Sequence, residues 1–534
     1  MNKRTLISGA VAITAAGAIT LAGTVVAQAQ ETGDAALAAA LDAILADARL
    51  TDSQAGVVVA DADTGAVLYE RNPDKRAIPG SNDKLFTTAA ALENLGGDYT
   101  YATDVIGDRP VDGVVSGDLY LRGTGDPTAL EADYDRLAAD LAAAGVTTVD
   151  GDLVADDTAF DSVRSGAEWG WSDLQFTYAA EVTALNIASG DDYQAGSVRI
   201  FIKPGASAGA PAVITTVPET DYLDIVSTAT TGTSTNVSVN RDPHDNTVRI
   251  SGTVAAGGSG TYATRAVIEP TQLVADVFAD SLADAGIDLK GGLRFGEATP
   301  QAAGEILATH ASAPLSDLVV DILKPSNASM AEALFKTLGY EASGKGTFAS
   351  GKAAVYAALD GYGVNNGPIR ISDGSGISRH NMLTAGTIAD LLVGAKDAPW
   401  FDTWYGALPI ACEDGTLASR MCGTPAADNV RAKTGSMTSV SALSGYATDA
   451  DGRELVFSIV LNDFLYSTVK DIEDKIAAAV AGYTDASTEA EISTFSDEID
   501  TPDLEELEAE AEELPAEGEM PASLECSWYE PSTC

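Results

Sequence analysis

Histidine, cysteine and positive charge are all scarce in this 534-residue chain. The three histidines, His244, His310 and His380, lie far apart and lack His-Glu-x-x-His spacing, which excludes the usual helical zinc-protease pattern. They read as surface or core residues, and nothing around them asks for a Ser-His-Asp triad. The four cysteines, Cys412, Cys422, Cys526 and Cys534, have no histidine near them, so no zinc ligand set is legible. There is no glycine-rich phosphate loop either, so the expectation is no metal and no cofactor. Lys and Arg number 31 against 79 Asp and Glu, a formal net charge of −48, and such a surface repels nucleic acid. Beyond the N-terminal segment no run is apolar enough to cross a membrane. No fixed-period repeat is visible.

Hydrophobic residues make up 45% of the chain, enough for a sizeable core. The length suggests roughly two to four domains. The chain begins with the basic Asn2-Lys3-Arg4, then an apolar run over 5–26, then the small-x-small site Ala27-Gln28-Ala29. This is the pattern of a secretory signal peptide, residues 1–29; a retained anchor is the alternative, and the cleavage site favours cutting. Export to the cell envelope, outside the cytoplasmic membrane, fits an even cysteine count and hence disulfides. The expected pairs are neighbours, Cys412 with Cys422 and Cys526 with Cys534, and the other two connectivities stay open. The tail over 485–534 holds 17 acidic residues and no Lys or Arg, the composition of a disordered or marginally helical segment with a Cys-closed end. The acidity extends through the body as well, which suits solubility.

Texture divides the rest. Residues 34–50 have helical spacing, 55–70 read as a hairpin turning at Asp63-Thr64-Gly65, and a buried helix starts near Ser81. From 99 to 303 helices are few and short, and alternating runs such as 197–203, 236–240 and 247–254 predict strands, with helical texture at 271–285. From 304 to 484 helix and strand alternate again. Helices are expected to about 323 from Ala313, over 329–338, 348–359 and 468–481, the last capped by Ser467. A buried strand is expected at 454–461. The outer segments, 30–98 and 304–484, thus predict one discontinuous domain, interrupted by one or two β-rich inserts.

Pro79-Gly80-Ser81-Asn82-Asp83-Lys84 opens the first buried helix. Ser81 and Lys84 are three apart and share a helix face. That spacing can place an amine within reach of a hydroxyl, and serine needs such a base to become a nucleophile. Alone the motif is weak. Two further stretches change its weight: Lys324-Pro325-Ser326-Asn327 and Arg431-Ala432-Lys433-Thr434-Gly435-Ser436. Ser-x-x-Lys, Ser-x-Asn and Lys-Thr-Gly in that order form the set shared by penicillin-binding proteins and serine β-lactamases.

With these motifs the chain resembles the class C low-molecular-mass penicillin-binding proteins, the D-alanyl-D-alanine carboxypeptidase/endopeptidases. Leu121-Arg122-Gly123-Thr124-Gly125-Asp126-Pro127-Thr128, Gly151-Asp152-Leu153, Asp373-Gly374-Ser375-Gly376-Ile377-Ser378-Arg379, Asp414-Gly415-Thr416-Leu417 and Gly423-Thr424-Pro425-Ala426-Ala427 extend the likeness over about 34–484. The resemblance implies an α/β (α+β) fold: a β-lactamase-like, transpeptidase-like domain with an antiparallel sheet between helices and inserted β-rich domains. It implies Ser81 as nucleophile, Lys84 as base and Ser326 as proton relay. It implies an oxyanion site at the Ser81 and Ser436 N–H groups, and Lys433, Thr434, Gly435 and Ser436 around a substrate carboxylate. Lys84 is expected to stay partly neutral through burial and the charge of Lys433. Asn327, Ser375, Arg379, Asp173 and Tyr178 are further candidate substrate contacts. The implied partners are peptidoglycan stem peptides and β-lactam antibiotics. One position departs: the family's Asn, two after the serine, is Ala328 here, and Asn327 comes one place early. A β-lactamase, or a wall-binding protein on an impaired peptidase fold, are the alternatives; the first requires a deacylating Glu that the sequence does not point to.

Overall fold

The computed structural model describes residues 34–502. The expected signal segment 1–29, the expected Cys526–Cys534 pair and the tail beyond 502 lie outside the described residues.

The fold is mixed α/β, built on a sheet of five antiparallel strands in the order Arg431–Met437, Val440–Thr448, Glu454–Asn462, Gln54–Asp61, Val67–Arg71. The expected hairpin and the expected buried strand are neighbours in it, with Val57 opposite Ile459. Glu454–Asn462 reads as one apolar run because the sheet is covered on both faces. Successive residues of a strand point to opposite faces. Accordingly Leu455, Phe457, Ile459 and Leu461 pack with Leu37, Leu41 and Ile472, while Val456 and Val460 pack on the other face with Leu85, Phe86 and Leu334. The sheet therefore lies between helices, the β-lactamase-like arrangement.

The helix that follows Ser81 is the centre of the second core. A tight helical turn, Gly80–Asn82, runs into Asp83–Leu95, and every residue from Asp83 to Leu92 is buried. Ala89, Ala90 and Ala91 present little bulk, so helices Ala328–Ser343 and Phe348–Leu359 pack closely against it. A fully buried helix has no polar face, which hides its orientation from a periodicity argument.

The excursion begins on strand Ala102–Gly107 and returns on Glu305–Ala311, and these two strands pair antiparallel, Asp104 opposite Thr309. The runs at 197–203, 236–241 and 247–255 are strands. Two helices pack in the core of this region, Pro270–Asp284 and Glu131–Ala143. The second is longer than the sequence texture suggested. Its buried stripe is only Tyr134, Leu137, Ala138 and Leu141, set among Asp and exposed Ala, so its period is weakly marked.

Two expectations near the C-terminus are corrected. The last helix of the sheet layer is Lys470–Gly482 with Val469 before it, so Ser467 is not its cap. Disorder does not begin at 485: Glu489–Asp497 is a helix with a Thr488–Glu491 capping box. Its Ile492 is buried, and the Phe495 ring occupies the space beside Gly482. An acidic composition still supplies one apolar side, and two such residues suffice to seat a short helix.

Cys412 and Cys422 are disulfide-bonded, closing the loop that carries Asp414, Thr416 and Arg420. Arg420 ties that loop to the sheet-layer helix through Glu473 at 2.9 Å and Asp474 at 2.6 Å. Glu473 is fully buried, and burial raises its pKa against the pull of Arg420. Breaking a buried pair from one side leaves an uncompensated charge. Arg420→Ala should therefore cost about 3–5 kcal/mol in urea unfolding. A loss below about 1 kcal/mol would place the pair with ordinary surface bridges.

Candidate active site

Backbone geometry brings Ser81 to the edge strand of the main sheet. Gly80 takes φ +51°, a conformation that glycine adopts without strain, and any Cβ there would lie 3.1 Å from the Ser436 nitrogen. On the strand side, a Cβ at Gly435 would lie 2.5 Å from the Pro79 oxygen and 3.0 Å from the Ser81 nitrogen. The Asn82 amide donates to the Lys433 carbonyl at 2.9 Å and ties the turn to the strand. The N–H groups of Ser81 and Ser436 thus belong to two backbones in contact.

The Ser81 side chain meets Lys84 one turn on. Lys84 Nζ donates to Ser81 Oγ at 2.8 Å and to the Ser375 carbonyl at 2.8 Å. Lys84 is fully buried, and burial pulls its pKa down to about 7, although the carboxylates of Glu332, Asp373 and Asp83 act the other way. The lowering comes first from burial. Burial, and then the charge of Lys84, push Lys433 well below its usual range, so the two ammonium groups disfavour each other.

Lys433 Nζ donates to Ser326 Oγ at 2.8 Å and to the Thr434 carbonyl at 3.0 Å. Ser326 sits at φ +65°, a left-handed conformation that costs a non-glycine residue energy. The disulfide loop steadies this segment: Thr416 N–H donates to the Lys324 carbonyl at 3.0 Å, and Lys324 pairs with Asp414 at 2.6 Å. The same loop reaches the strand, with Thr416 and Thr434 hydroxyls 2.9 Å apart. Three motifs from distant parts of the sequence therefore converge on one place.

The comparisons with known proteins bear on this convergence. The D-Ala-D-Ala carboxypeptidase 3 (S13) family matches over residues 37–483. The chain belongs to this family. A D-alanyl-D-alanine carboxypeptidase of an Actinomadura species is 41% identical over 454 residues, covering 83% of this chain and 84% of that protein. The crystal structure of penicillin binding protein 4 from Haemophilus influenzae superimposes with a TM-score of 0.69 at 26% identity, covering 83% of this chain and 95% of that one. A second structure of that protein, in complex with a β-lactam, gives a TM-score of 0.66 at 24% identity, with 85% and 96% covered. This chain is accordingly a serine hydrolase of the D-Ala-D-Ala carboxypeptidase type.

In this carboxypeptidase not every expected site residue faces the cleft. Asn327 caps helix Ala328–Ser343, its Oδ1 accepting from the Met330 N–H at 3.1 Å. Its Nδ2 donates to the carbonyls of Asp192 at 3.1 Å and Tyr193 at 2.9 Å, so the amide is spent on the insert. The expectation that Asn327 contacts substrate is corrected on this ground. Ser375 is fully buried and meets Lys84 and Ser81 through its carbonyl rather than its side chain. Ala328 packs among Phe160, Trp169 and Ile377. Asp173 and Tyr178 are joined at 3.1 Å, Arg379 influences the Asp173 charge, and Arg379 itself donates to the Thr438 carbonyl at 2.9 Å. Those three do cluster.

Sequence reasoning missed Glu332 and Asp83. Both are completely buried. The available signal was a lone acid inside Ala331-Glu332-Ala333-Leu334-Phe335 and another beside the serine. A charged residue in an apolar run is buried only when it has work to do or partners to hold it.

The narrow gap at Gly435 gives a test. Gly435→Ala should lower the rate of D-Ala release by about 100-fold, because a displacement near 1 Å at the reacting centre costs that much. The same clash should lower stability in urea unfolding by about 1–3 kcal/mol, without unfolding the protein. Wild-type turnover would mean that the strand and the Ser81 turn do not meet as described.

Proposed function

We propose that the chain is exported and removes the terminal D-alanine from peptidoglycan stem peptides through an acyl-enzyme on Ser81. The observation that carries this reading is the buried Lys84 amine 2.8 Å from the Ser81 hydroxyl. With a pKa near 7, about half of the amine is neutral at neutral pH and able to accept a proton. Ser81 Oγ attacks the carbonyl carbon of the penultimate D-Ala while Lys84 takes its proton. The oxyanion that forms lies against the N–H groups of Ser81 and Ser436. The C–N bond then breaks, and the proton taken by Lys84 is relayed through Ser326 to the leaving amine, which restores both Lys84 and Ser326. Water hydrolyses the ester and returns free Ser81.

Lys433 serves the free carboxylate of the terminal D-Ala. Burial keeps its ammonium poorly stabilised, and an arriving carboxylate supplies the missing counter-charge. Thr434 and Ser436 add hydroxyls to the same carboxylate. A cross-linking bond also joins a D-Ala carbonyl to an amine, so cleavage of cross-links by the same site belongs to this reading. Penicillin carries an acylating carbonyl and a carboxylate at similar spacing and acylates Ser81 as a mimic. Asp173, Tyr178 and Arg379 offer both signs of charge to the stem-peptide side chain that precedes the D-alanines.

Labelling of the purified protein with a fluorescent penicillin, beside Ser81→Ala, tests the nucleophile. The expected result is a stable band on wild type that is absent from the variant. A label lost within seconds would indicate a β-lactamase, and no label on folded wild type would indicate a wall-binding protein. Hydrolysis of a peptide ending in D-Ala-D-Ala, with free D-Ala measured, then checks the substrate.

The base makes a separate prediction. Lys84 acts as the neutral amine, and its pKa is lowered, so acylation should rise tenfold per pH unit below about 7 and level off above it. A second-order acylation constant measured from pH 5 to 9 reads this directly. A midpoint near the ordinary lysine value of 10.5 would remove Lys84 from the role.

A further inference from the structure

Lys84 donates to a backbone carbonyl, and that carbonyl is itself positioned. Position 328 is alanine, and the neighbouring Asn327 is spent on helix capping and on the insert. Besides Ser81 Oγ, the carbonyl of Ser375 accepts from Lys84, at 2.8 Å, and the same carbonyl lies 3.3 Å from Ser81 Oγ. Two consecutive peptide groups fix it. The Gly374–Ser375 peptide donates its N–H to Glu332 Oε1 at 2.8 Å, and its carbonyl accepts from Thr87 Oγ1 at 2.8 Å. The Ser375–Gly376 peptide donates its N–H to Asp373 Oδ1 at 3.0 Å. Glu332 also accepts the Gly374 N–H on both oxygens at 3.1 Å.

Glu332 is completely buried on helix Ala328–Ser343. A buried carboxyl is costly, so the bonds it makes matter. The loop it grips has no room to shift. A Cβ at Gly374 would lie 2.5 Å from Phe335 Cβ, and one at Gly376 would lie 1.9 Å from the Gly80 oxygen. Asp373, by contrast, is held from four sides: by Trp169 Nε1, Asn381 Nδ2 and the N–H groups of Gly376 and Ser378.

We propose that Glu332 is a positioning residue, which aims the Ser375 carbonyl at Lys84 and so orients the amine toward Ser81. The inference rests on the reading of Lys84 as base. The ionisable groups facing Lys84 are Asp83 on its own helix, Glu332 on the packed helix, Asp373 in the loop and Lys433 on the strand. Asp83 has neither carboxyl oxygen hydrogen-bonded, and burial raises its pKa well above the usual range. Glu332 is raised by burial and by Asp373, while the Gly374 and Ser375 amides draw it back toward the carboxylate. As a carboxylate it also favours the charged form of Lys84.

The experiment compares wild type with Glu332→Gln, reading fluorescent-penicillin acylation from pH 5 to 9. Glutamine keeps the size, loses the charge and replaces one acceptor oxygen by a donor. Two changes are expected together. The plateau rate falls about tenfold, the scale of one charge-assisted hydrogen bond. The acid midpoint moves lower by less than one unit, because Glu332, pushed up to about 8 by burial and Asp373, carries only part of its charge where Lys84 titrates. An unchanged profile overturns the proposal. So does a lower plateau with an unmoved midpoint, which is what a packing defect produces, or a moved midpoint with an unchanged plateau. Amide hydrogen exchange on wild type is the second arm, needed if the variant does not fold. The Gly374 and Ser375 N–H groups should exchange only through global unfolding, and fast exchange there overturns the proposal. A wild type that penicillin does not acylate refutes the acyl-enzyme reading itself, which is a different result.

Discussion

A lysine nitrogen with no access to water lies 2.8 Å from a serine oxygen, and the architecture is arranged to make that tolerable. Removing an ammonium from water is costly, and a buried lysine responds by giving up its proton more readily. Here the response stops near neutrality, because three buried carboxyl groups surround the site. A deeper carboxylate cluster would leave the lysine charged and useless as a base. None at all would leave it neutral, with no pull on a proton. The balance depends on packing: each of these groups is dry because helices Asp83–Leu95 and Ala328–Ser343 close over them.

Close approach of backbones is the second constraint, and it follows from the first. A dry site has no space for intervening water, so strand, turn and loop must touch. Gly80, Gly435 and Gly376 stand at the three contacts, and a Cβ at any of them would press on a neighbouring backbone. The disulfide loop extends the same logic outward. It fastens Lys324, two residues before the strained Ser326, and Thr434 on the strand to one piece of chain. Arg420 anchors that piece to the helix behind the sheet. The insert joins in through Trp169, whose ring nitrogen reaches Asp373, and through the carbonyls that hold Asn327. Strain at Ser326 persists because the surroundings over-determine it.

Local pattern made much of this legible. The hairpin near the N-terminus, the strand at Glu454–Asn462, the helices after 313 and the strands at 197–203 and 247–255 all carry clear periodicity. Helix Glu131–Ala143 was harder, because its buried stripe is thin and its other faces are Asp and Ala. The helix at Glu489–Asp497 was hidden by its acidity, although it needs only Ile492 and Phe495 to dock. Ser81 and Lys84 were legible because one helical turn fixes their spacing, and Ser326 and Lys433 because each stands in a short motif of its own. Asn327 misled for the opposite reason. It is beside the right atoms in sequence, but a helix cap and the insert claim its side chain.

The sequence by itself determined the one-turn spacing of Ser81 and Lys84, the order of the three motifs and the sheet-forming segments. Each is a matter of neighbours within a few residues, where helix and strand geometry are fixed in advance. Only the tertiary structure decided which oxygen receives the Lys84 hydrogen bond, which buried acids surround that lysine, and where Asn327 turns. Those depend on groups hundreds of residues apart brought within 3 Å, such as Ser375 with Lys84. Spacing along the chain says nothing about such distances, because they are set by how dry helices pack over a sheet.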